Sequence, residues 1–210
     1  MSSLEFSRLD PWPFEPWRRI GSRTAYTGFV TVNRDTYKEP DGTVSDWDII
    51  AGPDSAAALA FTPAGTHVVL FEQFRVGPAK TLCELPGGYV NDDEQPELAA
   101  KRELKEETGY EAASVYYAGS EWCAANSSRR KHIIIAAEAR PASDPSWDSS
   151  EMGRVQLLPT KELIDFLRNG ELTDAGLACR ALISLASSTP QDPALAKLRE
   201  TICGLLWAFR

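Results

Sequence analysis

Apolar residues along this chain follow two spacings. Ala56 to Phe61 and Val68 to Phe74 are apolar runs of strand length, joined by a turn at Pro63 to Gly65. Leu82 to Leu85 is a shorter strand ending at Pro86-Gly87-Gly88, after a loop that holds Gly77-Pro78. Ala113 to Ala118, His132 to Ala137 and Arg154 to Leu158 continue the strand series. Between them lie a polar, basic loop from Ala124 to Lys131 and an Asp/Ser/Pro-rich loop from Pro141 to Glu151. Earlier, Arg23 to Thr31 reads as a strand rich in Thr, Tyr, Phe and Val, and Thr43 to Ile50 returns after the Asp41-Gly42 turn. This predicts a small antiparallel sheet.

Helical spacing replaces the strand pattern in four places. Glu97 to Thr108 contains good helix formers and no internal Gly or Pro, with Pro96 in the first turn and Gly109 as C-cap. Lys161 to Asn169 is a helix stopped by Gly170, and Asp174 is placed to cap Ala175 to Ser187. After a linker at Ser187 to Pro190, Asp192-Pro193 opens a last helix with Leu195, Leu198, Ile202 and Leu205 on one stripe. Strand, strand, strand, helix, strand, strand, strand, helix fits an α/β/α sandwich with a mixed sheet. The expected organisation is an N-terminal arm and small sheet over 1–52, the main domain over 53–188, and an amphipathic helix over 189–210. In the arm, Pro11, Pro13 and Pro16 alternate with Trp12, Phe14 and Trp17, an extended segment whose aromatics would stick to this subunit or a partner.

Composition narrows the function. The 210 residues are enough for one sizeable α/β domain with an appendage. A net charge of −8 argues against nucleic acid as a partner, because phosphate-backbone binding needs a basic footprint. No apolar run reaches the roughly 18 residues of a membrane span, and the polar N-terminus has no signal core. Cys83, Cys123, Cys179 and Cys203 are scattered without a CxxC, which suits free thiols in a reducing cytoplasm. With only His67 and His132, a His-rich zinc site is out, and His132 reads as a packed strand residue.

The chemistry concentrates between Gly88 and Tyr110. On a helix advancing 100° per residue, Glu103, Glu106 and Glu107 fall within an arc of about 100°. Three carboxylates on one face repel, so something positive is expected between them, and a hard divalent cation such as Mg²⁺ suits oxygen ligands. The spacing is Gly88, five residues, Glu94, seven residues, Arg102-Glu103-Leu104, one residue, Glu106-Glu107, one residue, Gly109-Tyr110. Seven positions demand one residue type each. At roughly 6% usage per type, chance gives this about once in a million chains of this size.

This pattern resembles the Nudix box, the signature of hydrolases acting on nucleoside diphosphates linked to another moiety. Over roughly residues 18 to 185 the resemblance extends to the ADP-ribose pyrophosphatase branch. It rests on the Gly28-Phe29 strand, the Pro40-Asp41-Gly42 turn, Gln73-Phe74-Arg75, Glu84-Leu85-Pro86-Gly87-Gly88 and the box. It implies a Nudix-type α/β/α sandwich and a Mg²⁺-dependent pyrophosphatase, with Mn²⁺ a possible substitute. The products would be a nucleoside monophosphate and a sugar phosphate. The alternatives are another nucleotide derivative, such as a dinucleotide or coenzyme, or a non-catalytic binding module.

The resemblance also assigns roles. Glu103 and Glu107 are the expected metal ligands, with Glu106 a further or water-mediated contact and the Gly87 carbonyl another. Arg102 is expected to orient a glutamate, and Glu94 either braces the loop or lies on the surface. Glu151 matches the place of the general base and of a further metal ligand. A neighbouring acidic position is Ser149 here; Asp148 is a possible substitute for it, and Glu107 the other candidate base. Arg75 is expected to contact substrate or to form a structural ion pair with Glu84, itself near the substrate. Gly88 lets backbone approach phosphate. Tyr26 or Phe29 could stack on the base, across a homodimer interface if the N-terminal sheet is exchanged as in that branch. The branch's Ser-Pro-Gly-like segment is replaced by Ala124 to Arg130, so Arg129 faces either a more anionic substrate or solvent.

Overall fold

The structure is a computed structural model and describes residues 14–147 and 152–208. Pro11, Trp12, Pro13, Asp148, Ser149 and Glu151 lie outside the described residues. The chain divides into two compact units, one of residues up to 52 together with 124–128, the other 53–123 with 129 onward.

The first unit is a three-stranded antiparallel sheet of β1 (Arg18–Thr27), β2 (Thr31–Lys38) and β3 (Val44–Ala51). The sequence pattern runs one strand from Arg23 to Thr31; in the structure the chain turns there instead. Gly28 N–H donates to the Val30 carbonyl at 3.1 Å, and the Tyr26 ring lies where a Cβ of residue 28 would be. Phe29 therefore sits at a hairpin tip, 92% exposed. Asp35 is buried, hydrogen-bonded by Ser22 and Arg19. The Ser22 hydroxyl first, and Arg19 second, hold its carboxyl below the usual range against the opposing effect of burial. Among the described residues of this unit no apolar side chain is buried, while Phe14, Trp17, Ile20, Tyr26, Phe29, Val44 and Trp47 are exposed. The 124–128 segment joins it by backbone bonds, Ile50 N–H to Asn126 O and Ser128 N–H to Ile50 O.

The second unit is built on a mixed sheet. Its main path runs β12 (Gly153–Pro159), β5 (His67–Arg75), β4 (Ser55–Phe61), β10 (Arg130–Ala137) and β9 (Ser114–Trp122). β6 (Lys80–Glu84) also pairs with β5, and β7 (Gly87–Tyr89) with β4. Only β10 and β4 run parallel among these pairs. Side chains of β4 alternate strictly between faces. Ala56, Ala58 and Ala60 pack with Ala99, Ala100 and Leu104 of α1 (Pro96–Thr108). Ala57, Leu59 and Phe61 pack on the other side with α2 (Leu163–Arg168), α3 (Ala175–Ala186) and α4 (Pro193–Ala208). The small residues on the α1 side let the carboxylate-bearing helix lie close to the sheet. A two-stranded pair, β8 (Tyr110–Glu111) with β11 (Arg140–Pro141), was not legible as strands.

The helix starts divide the capping expectations. Asp192 Oδ1 accepts the N–H groups of Ala194 and Leu195, a cap of a kind that contributes about 1 kcal/mol. Leu195, Leu198 and Ile202 then bury in the large core, with Leu205 at its edge. Asp174 does not cap α3; its carboxylate is taken by Lys131 Nζ at 3.2 Å, a cross-element ion pair that local sequence does not show. The helix expected over Lys161 to Asn169 is shorter, a 3₁₀ turn at Thr160–Glu162 leading into α2. The four cysteines are free, and no helix among the described residues is long and apolar enough to cross a membrane.

Candidate active site

The acidic helix α1 places its carboxylates by plain helical geometry. Gln95 precedes it in extended conformation, Pro96 starts it, and Gly109 ends it at φ 73°, donating its N–H to the Lys105 carbonyl. That left-handed φ favours glycine, and a Cβ there would also overlap the Ser143 carbonyl. Ala99, Ala100 and Leu104 face the sheet, so Glu103 and Glu107, one turn apart, point along the edge of that buried stripe.

Opposite them runs β7. Gly88 pairs with Ala56, and a Cβ at 88 would overlap the Glu103 carboxylate. Gly87 pairs with Ala57, where a Cβ would come within 2.8 Å of the Ala57 backbone. The Gly87 N–H donates to Glu107 Oε2 at 2.9 Å, and Glu107 is only 3% exposed. Two adjacent glycines are thus required by close approach, one to the sheet and one to a carboxylate.

The positive charge expected among the glutamates is supplied by Arg102. Its guanidinium donates to both oxygens of Glu94 at 3.1 Å, to Glu103 Oε1 at 2.7 Å, to Glu106 Oε2 at 3.0 Å and to the Tyr89 carbonyl at 3.0 Å. Crowding of Glu103 and Glu106 is therefore relieved within the protein, and repulsion alone does not demand a metal. Glu94 also accepts the Asn91 N–H at 3.0 Å, so it ties the loop to the helix. Arg102 first, then the Asn91 N–H, holds the Glu94 carboxyl below its ordinary range. The reciprocal pull of Glu94, Glu103 and Glu106 drives Arg102 still higher.

Arg75 and Glu84 meet across the β5–β6 pair. Arg75 Nε donates to Glu84 Oε1 at 2.5 Å, its terminal nitrogen donates to the second oxygen, and Gln73 Nε2 approaches that oxygen at 3.4 Å. Glu84 is buried and Arg75 half-buried. Glu84 is the main cause of the upward shift of Arg75, with Glu107 and Asp174 adding weaker attraction. The ion-pair reading of Arg75 is what the geometry shows. The same guanidinium lies within the electrostatic reach of the buried Glu107.

The remaining expected residues are distributed elsewhere. Arg129 donates to the Pro53 carbonyl at 2.8 Å and lies 5.1 Å over the Tyr89 ring, while Arg130 lies 4.4 Å over Trp122. Tyr26 and Phe29 belong to the first unit. His132 is a packed strand residue, bridging Tyr117 and Asp54. Sequence reasoning overlooked Trp147. Its indole N–H donates to the Glu107 carbonyl at 2.8 Å and its ring lies 5.8 Å from Phe71. The available signal was a large aromatic in an otherwise Asp/Ser/Pro-rich loop.

The donor chemistry suits a hard divalent cation. Glu103 and Glu107 offer carboxylate oxygens beside a backbone without side chains at Gly87 and Gly88. Among the described residues no three His, Cys, Asp or Glu side chains converge on one point, and Arg102 holds an oxygen of both Glu103 and Glu106. Such a site would be completed by phosphate oxygens and water, the usual habit of Mg²⁺.

Residues 52–178 match the NUDIX domain, more than half of the chain. An ADP-ribose pyrophosphatase of Bacillus subtilis is 28% identical over 141 residues, covering 66% of this chain and 76% of that protein. A CMP-5'-(N-acetyl-N-hydroxy-3-aminopropyl)phosphonate hydrolase of Streptomyces rubellomurinus is 26% identical over 170 residues, covering 80% and 82%. The crystal structure of an ADP compounds hydrolase superposes with a TM-score of 0.69 at 20% identity, covering 91% of this chain and 96% of that one. Nudix hydrolases generally use a divalent metal. Box spacing, glycine-lined carboxylates and domain match agree: this chain belongs to the Nudix hydrolase family.

Proposed function

We propose that this Nudix hydrolase is a Mg²⁺-dependent pyrophosphatase. It cleaves ADP-ribose or a related nucleoside diphosphate sugar to a nucleoside monophosphate and a sugar phosphate. The observation that carries this reading is the pairing of Glu103 and Glu107 with the bare backbone of Gly88 and Gly87. That arrangement sets hard oxygen donors directly against backbone that carries no side chain. The similarity to the Bacillus subtilis ADP-ribose pyrophosphatase supports the substrate class.

In this reading Glu103 and Glu107 would hold Mg²⁺, with the Gly87 carbonyl and Glu106 as further contacts. Mg²⁺ held there would neutralise phosphate charge and lower the pKa of a water. Water oxygen attacks one phosphorus, the bridging P–O bond breaks, and the bridging oxygen leaves with the other phosphate. Glu151 takes the proton of the attacking water. Arg102 keeps Glu103 and Glu106 oriented without touching substrate. Arg75, steadied by Glu84, turns its exposed edge to a phosphate oxygen. Gly88 gives its Cβ space to the Glu103 carboxylate, Arg129 with Tyr89 borders the variable end of the substrate, and Tyr26 or Phe29 of a second copy stacks on the base.

A second substrate, a cytidine monophosphate joined to a phosphonate, is favoured by one observation. The Streptomyces rubellomurinus relative that cleaves such a compound aligns over more of this chain than the Bacillus subtilis enzyme does. A turnover screen of the purified protein with Mg²⁺ separates the two. ADP-ribose and ADP-sugars should lead the panel; preference for CMP-phosphonates moves the substrate, and no turnover on any member overturns the enzymatic reading.

The exposed apolar side chains of the first unit suit burial against a second copy, so we propose a homodimer. Light scattering should give twice the chain mass of 23.1 kDa, and a monomeric mass would refute it. Glu107→Gln should lower kcat/KM at least about 100-fold, beyond what loss of an outer-shell partner costs; unchanged turnover would remove Glu107 from the metal. Glu151→Gln should lower kcat by about 10²–10⁴ with KM within about two-fold. A near-normal kcat would put the base elsewhere.

A further inference from the structure

The two carboxylates nearest the end of α1, Glu106 and Glu107, stand in its last turn. Last turns fray, because their carbonyls lack intrahelical partners. Here a distant segment supplies the donors. Ser146 N–H donates to the Glu106 carbonyl at 2.8 Å, and the Trp147 indole N–H to the Glu107 carbonyl at 2.8 Å. Ala142 and Ser143 N–H groups both reach the Gly109 carbonyl, at 2.8 and 3.2 Å. Together with Gly109 N–H on Lys105 O, these bonds hold the helix end in place without relying on solvent.

Trp147 is held in turn by the core. Its ring meets Phe71, fully buried on β5, at 5.8 Å with a 43° tilt. Gly153 leaves room for that ring: a Cβ at 153 would lie 2.6 Å from it, so the start of β12 lies against Phe71 only because it carries no side chain. The Phe71 ring therefore bears Trp147 on one contact and the start of β12 on another. The indole is 40% exposed, so the Glu107 carbonyl and the Phe71 ring are what hold its place.

We propose that Trp147 is a positioning residue for the metal site. By fastening the Glu107 main chain to Phe71, it fixes the direction in which the Glu107 carboxylate leaves the helix. It touches neither metal nor substrate. The inference rests on Glu107 being a metal ligand, as argued above, and goes beyond it by naming what holds that ligand.

The test is Mn²⁺ binding to the metal-free protein, followed by electron paramagnetic resonance, alongside steady-state kinetics and thermal unfolding. Trp147→Phe keeps a ring on Phe71 and removes the N–H donor. It should weaken Mn²⁺ about five-fold, the equivalent of one neutral hydrogen bond. The metal concentration for half-maximal activity should rise in parallel, with substrate KM at saturating metal unchanged and the unfolding midpoint close to wild type. Phe71→Leu keeps the donor but loosens its support, and should weaken Mn²⁺ in the same direction even if Trp147→Phe fails to fold. Wild-type Mn²⁺ affinity in either folded variant overturns the proposal. Glu107→Gln is the separate control: if it also binds Mn²⁺ like wild type, the ligand assignment fails and not merely its support.

Discussion

The guanidinium of Arg102 is the constraint on which the rest of the site depends. It stands among Glu94, Glu103 and Glu106 and reaches the Tyr89 carbonyl with its remaining donor capacity. At an effective dielectric near 20, two like charges 4 Å apart repel by about 4 kcal/mol, and exposure of part of this cluster reduces that figure. A single planar cation with five donors removes the repulsion and fixes directions at once, which a lysine ammonium cannot do. Through Tyr89 it also fastens β7 to α1. Gly87 and Gly88 therefore face Glu107 and Glu103 because Arg102 joins the two elements.

Backbone proximity then decides which residues are tolerable. Gly88 leaves space that the Glu103 carboxylate occupies, and Gly87 lets β7 lie against β4 while its N–H meets Glu107. The alanines of β4 continue the same logic on the side facing α1. Small residues in the sheet bring the helix close, and close approach turns three ordinary glutamates into a polar wall. The opposite sheet face carries the large apolar packing of α2, α3 and α4, which stabilises the platform without entering the site.

Sequence periodicity and caps identified most elements because their causes are local. The α1 limits follow from Pro96 and Gly109, and the α4 start from Asp192, whose carboxylate finds N–H groups two and three residues on. Expectations failed where a distant group competed. Asp174 looked like a cap but is held by Lys131, and the apolar run through Phe29 broke at a turn folded around Tyr26 and Gly28. Arg75 offered two readings that only the fold could separate, since Glu84 lies across a strand pair.

By itself the sequence determined the reaction family and the carboxylate face. Both rest on spacing within one helix, where 100° per residue leaves little freedom. Tertiary structure decided what neutralises that face, what lies opposite it and what holds its end. Arg102 proved to be the internal cation, Gly87 and Gly88 the facing backbone, and Trp147 the brace on the Glu107 carbonyl. Trp147 lies 40 residues from Glu107 along the chain, and Gly87 lies 20. Contacts of that range depend on how strands pair and helices dock, and no local spacing encodes them.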